Sequence, residues 1–206
     1  MTGFAITGTD TDVGKTVFSA GLAQLLEAHY WKPVQAGYDD GTDAERVELL
    51  TGLPPERILP EAYTLATPCS PHRAALIDGI VIEDRALALP PDRPLVVEGA
   101  GGALVPLRDD LLVADQIARW GLPAVIVART TLGTINHTLM TVEALRARNV
   151  TVHGVAFVGD PNEDSEATIC RIGQVKRLGR LPRLDPLNRE TLTAAFANSF
   201  RKEDFA

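Results

Sequence analysis

Short runs of consecutive apolar residues alternate along the chain with stretches whose apolar positions recur every three or four residues. Phe4-Ala5-Ile6 is the first run and stops at Gly8. Over residues 14–28, Val17, Ala20, Gly21, Leu22, Leu25 and Leu26 repeat at helical spacing. Residues 30–34 read as a second strand, closed by Pro33 and a turn at Gly37. Residues 39–43 are polar and glycine-bearing, hence a loop, and a helix follows to about Leu50. Strand-like runs recur at Leu95-Val96-Val97-Glu98, 123–128, 150–158 and 178–181. Helical patterns occupy 111–120, 133–148, 165–177 and 189–200. Continuous apolar strands separated by helices predict an α/β fold, with a mostly parallel central sheet covered by helices on both faces. Ligands bind at the carboxyl ends of the strands in such sheets.

Residues 52–94 break the rhythm. Pro54, Pro55, Pro60, Pro68, Pro71, Pro90 and Pro91 lie there, half of the chain's 14 prolines, and Pro94 follows at the edge of the next strand. Loops with two short helices, over 72–77 and 83–89, fit this stretch. No low-complexity linker brackets it, so residues 1–206 are expected to form a single domain with an elaborated connection. At 206 residues the chain can bury a large core. Its net charge of −7 argues against non-specific binding to nucleic acid or anionic membrane. No stretch is long and apolar enough for a membrane span, and the segment starting Met1-Thr2-Gly3-Phe4 lacks the basic region of a leader. The two cysteines, Cys69 and Cys170, form no close pair, which suits a reducing cytoplasm.

Chemistry concentrates at the strand ends. Gly8-Thr9-Asp10-Thr11-Asp12-Val13-Gly14-Lys15-Thr16 follows a buried strand and opens a helix. Backbone N–H groups and a helix start cradle phosphates in such a loop, the Lys reaches the outer phosphates, and the Thr hydroxyl suits Mg²⁺. Five residues separate Gly8 from Gly14, where the common pattern has four. Glu98 ends an apolar strand, where a carboxylate needs a partner; a metal would serve, and so would capping of the Gly99–Gly102 turn. Asp43 is either a second metal carboxylate or a solvated helix cap. Lys32 is either a cation for a transferring phosphoryl group or an edge-strand lysine. Gly133-Thr134-Ile135-Asn136 opens a helix and offers N–H groups to an anion, unless Thr134 or Asn136 simply caps it. The four histidines show no zinc spacing.

These motifs resemble those of the dethiobiotin synthetase family, in the P-loop NTPase superfamily. The likeness rests on Gly8–Thr16, Lys32-Pro33-Val34, Ser70-Pro71-His72, Val97–Gly102 and Leu132–His137, in that order. The loop and the Glu-Gly-Ala-Gly-Gly turn are specific in combination. The resemblance implies a P-loop fold and a ligase that closes a ureido ring. Its substrates would be 7,8-diaminononanoate, CO₂ or bicarbonate, and ATP, with Mg²⁺ as cofactor. It implies metal binding by Thr16, Asp43 and Glu98, and catalysis by Thr11, Lys15 and Lys32. Nucleotide contacts would come from Asp12, Val13, Gly14, Lys15, Thr16, Val17, Asp43, Glu98, Gly99, Ala100 and Gly101, then Val158, Pro182, Arg183 and Leu184. Thr11, Lys32, Ala36 and Gly133–Asn136 would bind substrate, the last segment reaching it across a homodimer interface.

Three departures stand out. Gln35-Ala36 lacks the hydroxyl that family members often carry at the second position after Lys-Pro-Val. Phe157-Val158-Gly159-Asp160 replaces an adenine-reading Asn-Asp pair. Valine offers a base neither donor nor acceptor, so relaxed choice among ATP, CTP and GTP is expected. The stretch 27–31 is shorter than usual, which is expected to displace the second strand and Lys32. Two other readings are weaker. An amide synthase of the cobyrinic or cobyric acid type needs a glutaminase domain, for which the chain is too short. A nucleotide switch ATPase usually carries a second lysine early in the loop, where this chain has Thr7 and Thr9.

Overall fold

The computed structural model describes residues 3–205. Met1 and Thr2, where the segment read for a leader starts, lie outside the described residues, as does Ala206. In chain order the elements begin with β1 (Gly3–Gly8), α1 (Lys15–Leu26), β2 (His29–Trp31), β3 (Val34–Ala36) and α2 (Asp43–Thr51). Next come β4 (Ile58–Leu59), β5 (Tyr63–Leu65), α3 (Pro71–Asp78), β6 (Leu95–Gly102), β7 (Pro106–Arg108) and β8 (Leu111–Leu112). The last are α4 (Val113–Trp120), β9 (Ala124–Arg129), α5 (Thr134–Arg146), β10 (Val152–Val158), α6 (Glu163–Gly173), β11 (Arg177–Leu181) and α7 (Arg189–Ser199).

Seven strands form one sheet in the order β11-β10-β9-β1-β6-β2-β4, and every pairing in it is parallel. β3 pairs with β5 in a small separate sheet, and β7 with β8 in a hairpin. Side chains alternate across the main sheet, as period-two geometry requires. Phe4, Ile6, Val96, Val125 and Val127 join one buried cluster with residues of α1, α2 and α7. Ala5, Leu95, Val97, Ile126 and Phe157 join the other, with residues of α4, α5 and α6. The central strands β1, β6 and β9 are therefore apolar on both faces, which explains their apolar runs. Among the described residues, no helix is long and apolar enough to cross a membrane.

Several boundaries differ from the sequence expectation. Residues 30–34 are not one strand. β2 ends at Trp31, and β3 begins at Val34 in another sheet. Pro33 has no N–H to continue a ladder. β2 lies between β6 and β4, so Lys32 does not sit on an edge strand. The shortening over 27–31 leaves β2 in register, with His29 beside Leu95 and Trp31 beside Val97. Residues 52–94 also supply β4, the sheet's outer strand, and buried Leu65, Ala74, Ala75, Ile82 and Leu87 to one core cluster. The second short helix expected there is only a 3₁₀ turn, Asp84–Leu87. Leu111 and Leu112 belong to β8, not to the helix that follows.

Candidate nucleotide and metal site

The carboxyl ends of β1, β2 and β6 meet at one crevice. β1 lies between β6 and β9, and the chain reaches β6 and β9 on opposite sides of it. Such a reversal opens a space beyond the strand ends. The loop after β1 fills its floor. Asp12 (φ 55°) and Gly14 (φ 93°) both adopt left-handed backbone, which turns the chain into α1. A Cβ on Gly14 would also stand 2.9 Å from Val158, so glycine is required there twice over. No side chain caps α1 and its first turn holds no acidic residue, leaving its N–H groups to an anion.

A cavity of about 660 Å³ opens above this loop. Thr11, Asp12, Gly14, Lys15, Thr16, Val17, Lys32, Ala36, Asp43, Glu98, Ala100 and Gly101 all line it. Val13 is buried in the core behind the loop, and Gly99 lies in β6 between Glu98 and Ala100. The connection 52–94 contributes Pro68, Cys69, Ser70 and Pro71 to the opposite wall.

The charges at its base are buried and mutually satisfied. Glu98 is fully buried, and Lys32 is 6% exposed. Lys32 Nζ donates to Glu98 Oε1 at 3.2 Å and also to Asp43 Oδ2. Thr16 Oγ1 donates to the same Glu98 Oε1 at 2.9 Å. Burial works against the Lys32 charge, but Glu98 and Asp43 outweigh it and hold the ammonium pKa above its ordinary value. Burial likewise works against Asp43, yet Lys32 and Thr16 keep its carboxyl below the usual range. Lys15 Nζ donates to the Asp10 carbonyl at 3.1 Å. Burial pulls its pKa down, with Glu98 opposing. Phosphate oxygens would supply the counter-charge it lacks.

Asp43 is not the helix cap. Thr42 caps α2 and forms a reciprocal capping box with Glu45, which leaves the Asp43 side chain free to face the cavity. Gln35 was not singled out by the sequence. Its Oε1 accepts from the Asp43 N–H at 3.3 Å, and its Nε2 donates to the Gly37 carbonyl at 2.7 Å, fixing the start of α2 over β3. Tyr30 was missed as well. Its hydroxyl donates to Glu98 Oε2 at 3.0 Å. An aromatic in a strand reads as packing, and only the fold brings it beside Glu98.

The donor set fits Mg²⁺. Two carboxylates and a hydroxyl, all oxygen, match an ion that takes one or two carboxylates and fills its remaining positions with water and phosphate. Among the described residues there is no group of three or more His, Cys, Asp or Glu that could cage a metal by itself.

The structure does not bring every predicted residue into this cavity. Gly133, Thr134, Ile135 and Asn136 stand at the start of α5, outside its lining. Neither Thr134 nor Asn136 caps that helix. Thr134 Oγ1 donates to the Arg129 carbonyl at 2.5 Å, and Asn136 Nδ2 points to Met140 Sδ at 3.4 Å. The Thr134 N–H donates to the Thr131 carbonyl at 3.2 Å, which leaves the N–H groups of Ile135 and Asn136 to a ligand or water. Val158 packs over Gly14, while Pro182 and Arg183 are exposed beyond β11 and Leu184 is half-buried.

A strand, a glycine-framed loop and a Lys-Thr helix start on a parallel sheet define a P-loop nucleotide-binding protein. The MinD cell division protein of Aquifex aeolicus has the same fold, with a TM-score of 0.55, 13% identity and 96% of each chain covered. The MinD ATPase of Pyrococcus furiosus likewise scores 0.55 at 10% identity, covering all of both chains. A family model described as an AAA domain matches residues 2–191. The ATP-dependent dethiobiotin synthetase of Novosphingobium aromaticivorans is 64% identical over the full length of both chains. That of Rhizorhabdus wittichii is 65% identical over 98% of this chain and 97% of its own. The chain belongs to the ATP-dependent dethiobiotin synthetase family.

Proposed function

We propose that this chain makes dethiobiotin from 7,8-diaminononanoate, CO₂ and ATP. The observation that carries the reading is the convergence of Lys15, Thr16, Lys32, Asp43 and Glu98 in one cavity above a phosphate-binding loop, in a chain with 57–65% identity to dethiobiotin synthetases. One substrate amine captures CO₂ as a carbamate and loses a proton. A carbamate oxygen then attacks the γ-phosphorus of ATP, giving a carbamic-phosphoric anhydride and ADP. The second amine attacks the anhydride carbonyl, the C–O bond to phosphate breaks, and the ureido ring closes.

Phosphoryl transfer of this kind is chiefly positioning and charge neutralisation. The N–H groups of residues 12–17 cradle the phosphates. Lys15 sits against the outer phosphates, and Lys32 against the carbamate oxygen that attacks. Lys32 stays protonated across the working range, because Glu98 and Asp43 hold its proton. Thr11 faces the reacting groups from the loop. Thr16, Asp43 and Glu98 would hold Mg²⁺, which would supply further positive charge at the phosphates. Ala36 lines the same cavity without a hydroxyl, leaving room beside the carbamate.

The start of α5 is assigned to the substrate carboxylate of a second copy, which makes a homodimer the working unit. Leu132, next to that helix start, is exposed, as a residue covered only by a second copy would be. Val158, Pro182, Arg183 and Leu184 border the base through apolar and backbone contacts, so CTP and GTP serve beside ATP. All 206 residues act as one unit, in the cytoplasm, where free Cys69 and Cys170 stay reduced.

The test is direct. The purified protein is mixed with 7,8-diaminononanoate, bicarbonate, Mg²⁺ and ATP, and dethiobiotin and phosphate are measured. Stoichiometric product that disappears in Lys15→Ala is expected. Phosphate release without dethiobiotin would overturn the ligase reading in favour of a nucleotide hydrolase.

A further inference from the structure

The mechanism leaves one buried polar side chain unused. Tyr30 lies in β2, fully buried among the apolar residues beneath α1 and α2. β2 and β6 run parallel with Tyr30 beside Val96, so Glu98 stands two residues further along β6, on the same face. The phenol O–H donates to Glu98 Oε2 at 3.0 Å. The other oxygen, Oε1, accepts from Thr16 and Lys32 on the cavity side. The two oxygens of one carboxylate therefore have different neighbours. One is held from within the core, and the other is turned to the site.

We propose that Tyr30 is a positioning residue that pins Glu98 Oε2 and so presents Glu98 to the metal through Oε1 alone. The proposal rests on the reading of Glu98 as a metal ligand. A carboxylate restricted to one oxygen suits Mg²⁺, which demands six near-octahedral ligands at short distance. Ca²⁺ accepts a bidentate carboxylate in a looser shell of six to eight. Tyr30 thereby selects the ion as well as orienting its ligand. A partner of this kind behind a ligand typically changes metal affinity by about 10–100-fold.

The experiment measures Mn²⁺ binding to the full chain by electron paramagnetic resonance, with the imido analogue of ATP present and Ca²⁺ as competitor. Native protein, Glu98→Gln and Tyr30→Phe are compared. Glu98→Gln is expected to abolish tight Mn²⁺ binding. Tyr30→Phe is expected to weaken it about tenfold and to let Ca²⁺ compete better. A Tyr30→Phe protein that binds as native, or more weakly with an unchanged Mn²⁺-to-Ca²⁺ ratio, would reduce Tyr30 to packing and overturn the proposal. Native binding in Glu98→Gln would instead overturn the metal reading itself. Should Tyr30→Phe fail to fold, 3-fluorotyrosine keeps the question open to measurement. The resonance of position 30 is assigned by elimination with Tyr38→Phe and Tyr63→Phe. Its movement on adding Mg²⁺ with the analogue supports the proposal, and its constancy overturns it.

Discussion

At the β2–β6 end of the crevice, Lys32, Asp43 and Glu98 are locked together by Tyr30, Thr16 and Gln35, with Glu98 wholly out of solvent. At the β10–β11 end, the side chain facing the same loop is Val158, packed on Gly14, and the segment 182–190 that follows β11 is largely exposed. Charge at that end is set back. Buried Glu166 pairs with Arg177 at 2.6 Å and Arg180 at 3.2 Å, and Arg180 Nη1 reaches the Gly159 carbonyl at 3.3 Å. The first end is a machine of interdependent charges, where losing one strands another. The second is a surface of shape and backbone, where a change adds or removes one contact. Catalytic demand should therefore be concentrated at the first end and nucleotide choice at the second.

The largest effects test that division. Lys15→Ala and Lys32→Ala are each expected to lower the rate of dethiobiotin formation by about 10²–10³-fold, the range for losing one preorganised charge donor. Lys32→Ala should in addition destabilise the fold by about 3–5 kcal/mol, because it leaves Glu98 buried without its cation. Denaturant unfolding reads that loss, and a Lys32→Ala protein as stable as native would break the picture of interdependence.

Acid should act on the same end. The Asp43 carboxyl has a lower pKa in the folded chain than its ordinary 3.8. The folded state thus binds that proton less tightly than the unfolded state, and the pair stabilises the protein fully above that ordinary value. The contribution is lost as pH falls below it and through the lowered value. Lys32 is raised above 10.5, so its share persists below that pH and is lost only as pH climbs through the raised value. Melting curves of native protein and Asp43→Asn should converge at acid pH and separate at neutral pH. A constant gap would exclude the ion pair as its source.

Smaller effects belong to the base end. Val158→Asn offers a base both a donor and an acceptor, and should raise the preference for ATP over CTP by about tenfold, the worth of one net hydrogen bond. Competition between the two nucleotides measures it. A native protein that already prefers ATP strongly would show that valine is not what relaxes the choice. Arg180→Gln is expected to move the nucleotide KM by only about threefold, leaving kcat unchanged, since it removes the contact to the Gly159 carbonyl and one partner of Glu166, which keeps Arg177. A tenfold fall in kcat would join the two ends that are separated here.

Much of this was legible from local pattern. The loop from Gly8 to Thr16 announced itself because phosphate binding fixes residue type at consecutive positions. Glu98 stood out because a carboxylate in an apolar run must have a partner. The pattern failed where residues serve through distant neighbours. Local pattern left Asp43 open between cap and metal carboxylate because Asp commonly starts helices, and in the fold Thr42 with Glu45 takes the capping role. Lys32 read as a possible edge lysine because β4, only two residues long, left no signal that β2 had an outer neighbour. Tyr30 and Gln35 gave no signal of their own, since each acts on a residue 8 or 68 positions away.

The residue pattern alone dictates the parallel sheet, through central strands apolar on both faces, and the phosphate loop, through its spacing of Gly, Lys and Thr. Both are local requirements that neighbouring residues must meet. Tertiary structure alone decided how the charges pair. Register between β2 and β6 brings Tyr30 and Lys32 to Glu98, and the capping of α2 turns Asp43 toward them. A buried charge is tolerable only with its partners in place, and strand order determines who those partners are.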